Sequence, residues 1–264
     1  NSYPSGFWKS FEALVSGMKP VSDKNNGINL LGGFMSPELK ALTAVLKEKG
    51  HAVYHAGIKK KLEDIVEMPR AAVNLVLSSW DLPWAAAMEK KFKTPYIPLH
   101  SPYSLAQIDQ AFEKLGEKLS DISWGQLAEP REELLELEQR FRAAFRGKSF
   151  VVTDGRVDGI HLALYLTSLG MKPLALHLEE FFPEDKQWSA ELLELGANPM
   201  VFHSVNPKAD GELLRSLKPD LCLGELEIEG NAIPQLPDLY GLNGKFGYQR
   251  SIALLSEIFK VMFA

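Results

Sequence analysis

The 264 residues are 45% hydrophobic, 24% charged and 10% aromatic, the profile of a globular chain long enough for one large or two mid-sized domains. Twenty-nine Lys and Arg stand against 34 Asp and Glu for a net charge of -5, with the basic residues scattered, so nucleic acid is not an expected partner. No apolar run approaches the roughly 18 residues of a bilayer span, and the single cysteine, Cys222, excludes an internal disulfide and an iron–sulfur cluster held by this chain's thiols alone. One thiol fits a reducing cytoplasm, the expected location. The start NSYPSGFWK has neither a basic n-region nor an apolar h-region, and a first residue of Asn rather than Met is expected of a polypeptide cut from something longer.

In chain order, the first clean unit begins with an apolar strand at 28–31 (INLL), turns at Gly32-Gly33 and enters a helix through Ser36-Pro37-Glu38. That is an N-cap serine, an N1 proline and an early carboxylate. Leu39, Leu42, Val45 and Leu46 mark its buried face, Gly50 is placed to stop it, and 51–55 (HAVYH) supplies the next strand. Further strands are expected at 72–77 and 96–99, with helices over 80–93 and 104–120. Trp80 and Trp84 are spaced i, i+4 as if on one helix face.

Residues 129–145 read as a bridging helix, with Leu134, Leu137, Phe141 and Phe145 at helical spacing among charges. The strand–helix–strand sentence then recurs: strand 149–154, a helix over 157–169 that is apolar nearly all round, Gly170 as its stop, and strand 173–178. Strands at 200–203 and 221–224 and helices at 187–196, 208–217 and 245–263 complete the reading, with Ile252, Leu255, Ile258, Phe259 and Met262 on one side of the last helix, which is expected to pack across the domain boundary. Strands alternating with helices predict an α/β fold: two Rossmann-like domains with mainly parallel sheets flanked by helices. The boundaries are 1–125, a bridge over 126–147, and 148–264.

Familiar nucleotide motifs fail. Gly147-Lys148-Ser149 ends like a P-loop, but Arg142 stands where its first glycine is needed and the triplet precedes a strand. The loop after Asp154 offers only Gly155 and Gly159, short of a dinucleotide fingerprint. Neither G-x-S-x-G nor H-E-x-x-H occurs, and Cys222 lies mid-strand, where a buried thiol is inert.

Four of the six histidines, His55, His100, His177 and His203, fall at the carboxyl ends of expected strands, level with Ser78, Ser79, Asp154 and Glu225. In open parallel sheets that edge lines the ligand crevice. Gly32, Gly33, Ser78, Ser79, His100, Asp154, His177 and His203 are therefore the candidate cofactor-binding residues. Asp154, His177 and His203 could together handle protons or hold a metal weakly, against the plainer reading that strand-end histidines serve the fold. Glu225, Glu227 and Glu229 alternate in ELEIE, a cation site or a solvated edge. Glu179-Glu180-Phe181-Phe182-Pro183 carries aromatics suited to a partner surface or to packing.

Several segments in order resemble the nitrogenase component 1 superfamily of oxidoreductases, which includes molybdenum–iron protein subunits, cofactor-assembly scaffolds and light-independent protochlorophyllide reductase subunits. They are SYPSGFWKSFEALVSGM (2–18), NNGINLLGGFMSPELKALTAVLKEKGHAV (25–53), AAVNLVLSSWDLPWAAAMEKKFKTPYIPL (71–99), RGKSFVVTDGRVDGIHLALYLTSLGMKPL (146–174), LKPDLCLGELE (217–227) and LNGKFGYQRSIALLSEIF (242–259). Against the family's three Rossmann-like domains, the chain looks like the second and third. The stretch resembling the α subunit's cofactor-cysteine region reads Leu77-Ser78-Ser79, and 234–249 has no histidine where the family's cofactor histidine is expected. No metal ligand carries over and no catalytic residue is assigned.

The resemblance implies an oxidoreductase subunit or fragment that shapes an interdomain cavity and a subunit interface. A metallocofactor or tetrapyrrole would be shared with other sequence or a partner. A homologous subunit and an electron-donor protein are the expected partners, and no membrane. The alternative is a non-catalytic binding or scaffold protein for such a cofactor, and a third reading is an enzyme of small substrates using the strand-end histidines.

Overall fold

A computed structural model describes residues 3–32, 36–56, 62–122, 129–153, 159–178, 181, 185–203, 207–225, 233–237, 239–242 and 245–263. They divide into two compact units, Asn1–Pro130 with Asn243–Gln249, and Arg131–Leu242 with Arg250–Ala264.

In the first unit, helix α1 (Tyr3–Gly17) precedes strand β1 (Ile28–Leu31), helix α2 (Pro37–Glu48), strand β2 (Val53–Ala56), helix α3 (Leu62–Glu67), strand β3 (Val73–Val76), helix α4 (Leu82–Phe92), strand β4 (Tyr96–Pro98) and helix α5 (Leu105–Lys118). The sheet is wholly parallel in the order β2-β1-β3-β4. Helix α2 is built from the signals its sequence carries. The Ser36 hydroxyl accepts from Leu39 N at 3.0 Å, Pro37 is at the first turn, and Leu39, Leu42 and Leu46 are buried. Gly50 takes φ +80° just past it and Gly170 takes φ +98° after the corresponding helix of the second unit; each chain reversal needs a left-handed residue.

Alternation along the strands sorts the core into two faces. Ile28, Leu30, Val73 and Leu75 join the side chains of α2 and α5, whereas Leu31 and Val76 join Val15, Trp84 and Met88. Asn29 and Asn74, partners in register, are fully buried. Asn29 Nδ2 donates to Asn74 Oδ1 at 2.8 Å and to Met68 O at 3.0 Å, and Asn74 Nδ2 donates to Thr94 O at 3.0 Å. The pair therefore ties the loops at the amino ends of the strands. Trp84 stacks on Phe11 with centroids 4.4 Å apart, but Trp80 belongs to a 3₁₀ turn (Ser79–Asp81) ahead of α4, so the two tryptophans do not share one α-helical face.

The second unit runs through helix α6 (Arg131–Phe145), strand β5 (Ser149–Val152), helix α7 (Gly159–Ser168), strand β6 (Lys172–His177), helix α8 (Asp185–Glu194), strand β7 (Met200–Phe202), helix α9 (Pro207–Ser216) and strands β8 (Leu221–Leu223) and β9 (Gln235–Leu236). Its sheet is again parallel, in the order β7-β6-β5-β8-β9, the doubly wound arrangement with the chain reversing direction across β5 and β8. Helix α7 is buried from Gly159 to Leu166, as its all-round apolarity requires. The charged helix expected as a bridge, α6, is counted with this unit, burying Leu134, Leu137, Phe141 and Phe145. Tyr165 Oη donates to the buried Glu138 at 3.0 Å. The closing helix α10 (Gly247–Phe263) has its first residues in the first unit and the rest in the second, where Phe259 meets Phe141 and Phe145.

Short elements escaped the sequence reading. Strand β9 is two residues beside Pro234, and α3 is six residues long, both too brief for periodicity to register.

Candidate functional site

Each sheet presents its ligand edge at the carboxyl ends of its strands, and in the first unit the strand order changes direction at β1 and β3. Gly32 leaves β1 with φ +76°, its N–H donating to Ala56 O at 3.1 Å, while Leu77 N donates to Leu31 O at 2.8 Å. Beyond β3, Ser78 caps the 3₁₀ turn, its Oγ accepting from Trp80 N at 3.3 Å. That turn brings Asp81 back against Gly32. A Cβ on Gly32 would overlap Asp81 Oδ2, with Asp81 Cγ at 3.0 Å and Ser78 Cβ at 3.1 Å. Only glycine allows this approach.

Asp81 is 7% exposed and its carboxyl makes no hydrogen bond or ion pair among the described residues. Burial pushes its pKa up to about 7, with no charge among the described residues contributing. Ser79 beside it is also buried. In sequence, Asp81 falls in the first turn of the helix expected over 80–93, whereas in the structure it ends the 3₁₀ turn ahead of α4. The available signal was a carboxylate in the strand-to-helix turn at the ligand edge, three residues past Ser78.

The strand-end histidines share one role. His55 Nε2 donates to Gly32 O at 3.2 Å, His100 Nδ1 to Val76 O at 3.4 Å, His177 Nδ1 to Thr153 O at 3.1 Å, and His203 Nδ1 to Leu178 O at 3.2 Å. In every case the ring reaches a main-chain carbonyl at the end of the adjacent strand, which fixes the tautomer and closes the fraying edge of the ladder. His177 is 7% exposed, and its Nε2 is buried with no partner among the described residues; His203 is exposed. Asp154 and Gly33 lie outside the described residues, as do Glu227, Glu229, Glu179, Glu180 and Phe182. Among the described residues no three His, Cys, Asp or Glu side chains form a group able to hold a metal. Glu225 and Phe181 are exposed, the latter at 54%.

Cys222 sits in β8 with its Sγ 3.5 Å from Thr153 Oγ1 and donating to Gly224 O at 3.5 Å. Burial raises its pKa to about 11, so the thiol is protonated at neutral pH. A cysteine-ligated iron–sulfur cluster needs several exposed thiolates, and this one buried thiol does not fit that role.

Residues 1–262 match the family described as nitrogenase component 1 type oxidoreductase. The chain belongs to that family. The solved structure of nitrogenase Cp1 at pH 6.5 superposes with a TM-score of 0.76 at 21% identity, covering 99% of this chain and 65% of that one. Nitrogenase Cp1 at pH 5 gives 0.71 at 18% identity, covering 99% and 62%. At these identities the likeness is one of fold, and the chain spans less than two thirds of the length of either structure. No curated protein matches the chain in sequence.

Ser78 and Ser79, expected as cofactor-binding residues, lie in the capped turn just described, the Ser78 hydroxyl as its cap and Ser79 as its first residue. Among the described residues at this edge, the Asp81 carboxyl is a group the fold itself does not use. No described helix is long and apolar enough to cross a membrane.

Proposed function

We propose that this chain is an oxidoreductase subunit of the nitrogenase component 1 type whose strand-end crevices form walls around a metallocofactor or tetrapyrrole ligated by other polypeptide. It associates with a homologous subunit, receives electrons from a separate donor protein and works in the cytoplasm. The observation that carries this reading is the combination of family membership over residues 1–262 with one thiol, Cys222, buried in a strand and held protonated. Cluster chemistry on such a fold then depends on ligands supplied from outside, while the chain contributes shape, low dielectric and hydrogen bonding, which also tune a redox centre.

The test is anaerobic isolation of the 264-residue chain alone and in complex with its homologous subunit, followed by iron and sulfide analysis, absorbance and EPR. The expected outcome is a redox centre in the complex and no stoichiometric cluster in the isolated chain. A fully occupied cluster in one isolated copy, or a complex devoid of any redox-active group, overturns the proposal.

A further inference from the structure

Three properties of the first unit's ligand edge converge on one side chain. Asp81 lies just beyond the carboxyl ends of the paired strands β1 and β3, from which the chain leaves to opposite sides of the sheet; it is nine-tenths buried, and its carboxyl has no partner among the described residues. Evolution of a stable fold gives no reason to keep such a group: an unpaired buried carboxyl costs free energy that an apolar residue of similar size avoids. Gly32, moreover, is shaped around it, since any side chain there would displace the carboxyl. The turn, the glycine and the burial together hold a carboxyl in a fixed place at the carboxyl ends of β1 and β3 and leave its oxygens without a partner among the described residues.

We propose that Asp81 is the proton-exchanging group of the first unit's crevice, passing its proton to a basic atom of an acceptor lodged at the carboxyl ends of β1 and β3. The transfer breaks the Asp81 O–H bond, leaves that electron pair on the carboxylate and forms one bond to hydrogen on the acceptor; solvent water returns the proton afterwards. No electron moves in this step. The inference rests on the proposed function in one respect, that the crevice receives an acceptor that takes up protons.

The surroundings suit such exchange. On α4, which follows the turn, Glu89, Lys90 and Lys91 lie in the last turns, with Lys91 tied to the carbonyls of Val15, Ser16 and Met18. On α1, which packs against the turn, Lys9 and Glu12 are exposed. On the neighbouring strand ends, His55 is bonded to the carbonyl of Gly32 and His100 to that of Val76. None of these charges shifts the carboxyl, so burial sets its proton affinity, and that affinity lies near neutral, where proton donation and recapture are both rapid.

The test has two arms. Carboxyl-selective NMR of the intact protein, wild type against Asp81→Asn, is expected to show one resonance that titrates near neutral pH and is missing from the variant. In the assembled oxidoreductase complex, Asp81→Asn is expected to lower kcat by about 10²-fold with KM little changed and to remove one limb of the pH profile, with Asp81→Glu restoring part of the rate. Titration in the ordinary carboxylate range overturns the inference whatever the activity. Neutral titration with an unchanged kcat and pH profile in Asp81→Asn overturns it while leaving the proposed function standing. A wild-type complex with no reductive turnover defeats the proposed function, and the inference falls with it.

Discussion

Replacing Gly32 by alanine tests whether the turn after β1 is built around Asp81. Two costs follow from the structure. A φ of +76° puts an alanine in left-handed backbone, worth about 1–2 kcal/mol. Its Cβ also overlaps Asp81 Oδ2 and crowds Asp81 Cγ and Ser78 Cβ, and overpacking of this kind costs about 1–3 kcal/mol. The sum is about 2–5 kcal/mol of local stability. In an Asp81→Ala background the carboxyl is gone while the backbone cost and the Ser78 contact remain, so the coupling between the two substitutions is up to about 3 kcal/mol in favour of the double variant. Because the chain has two units, global denaturation is a poor probe; native-state hydrogen exchange on peptides covering 28–32 and 73–81 reads the affected turn directly. Equal cost of Gly32→Ala in both backgrounds would show that the carboxyl is not where this reasoning puts it.

The remaining predictions use the same core. Asp81→Asn should stabilise the first unit increasingly with pH: the native carboxyl, raised to about 7, stays protonated while the unfolded one ionises near 3.8, so wild type loses stability from about pH 4 up to pH 7, on the order of 4 kcal/mol, and hydrogen-exchange protection of peptides covering 28–32 and 73–81, corrected for intrinsic exchange, should converge between the two proteins below pH 4. Asn74→Ala removes the acceptor for Asn29 Nδ2 and the donor to Thr94 O in a fully buried site, with an expected loss of about 2–4 kcal/mol measured by hydrogen exchange in β1 and β3; a loss below about 1 kcal/mol would mean the pair is dispensable. Cys222, with its thiol pushed up to about 11, should react with iodoacetamide at pH 8 at least about a hundredfold more slowly in the native protein than in urea, followed by mass spectrometry, and rapid native labelling would contradict its burial.

How far the sequence led depended on how local each signal was. Ser36-Pro37-Glu38 and Gly50 bracket α2 because caps are short-range devices, and INLL reads as a strand because both of its faces are buried. The parallel α/β class followed from that alternation. Strand order did not, since nothing in 28–31 says that β1 lies between β2 and β3. The site was legible as a level rather than as a constellation: strand ends were located, but which side chains there have their bonds filled depends on carbonyls tens of residues away. His177 bonds Thr153 O and His203 bonds Leu178 O, separations of 24 and 25 residues that no local pattern encodes.

Those histidines also sharpen what counts as a candidate at this edge. A side chain whose polar atom satisfies the sheet's last carbonyl is explained by the fold, because leaving that carbonyl unpaired would cost about as much as a lost hydrogen bond. By that criterion His55, His100 and His203 each have a structural reason to be where they are, and His177 has one for Nδ1 but none for its buried Nε2. Asp81 has none among the described residues: it neither caps α4 with its side chain nor pairs with a cation there. A buried carboxyl that the fold accommodates at a cost, at the edge where ligands lie in open parallel sheets, is better explained by what it gives to a ligand than by anything it does for the protein.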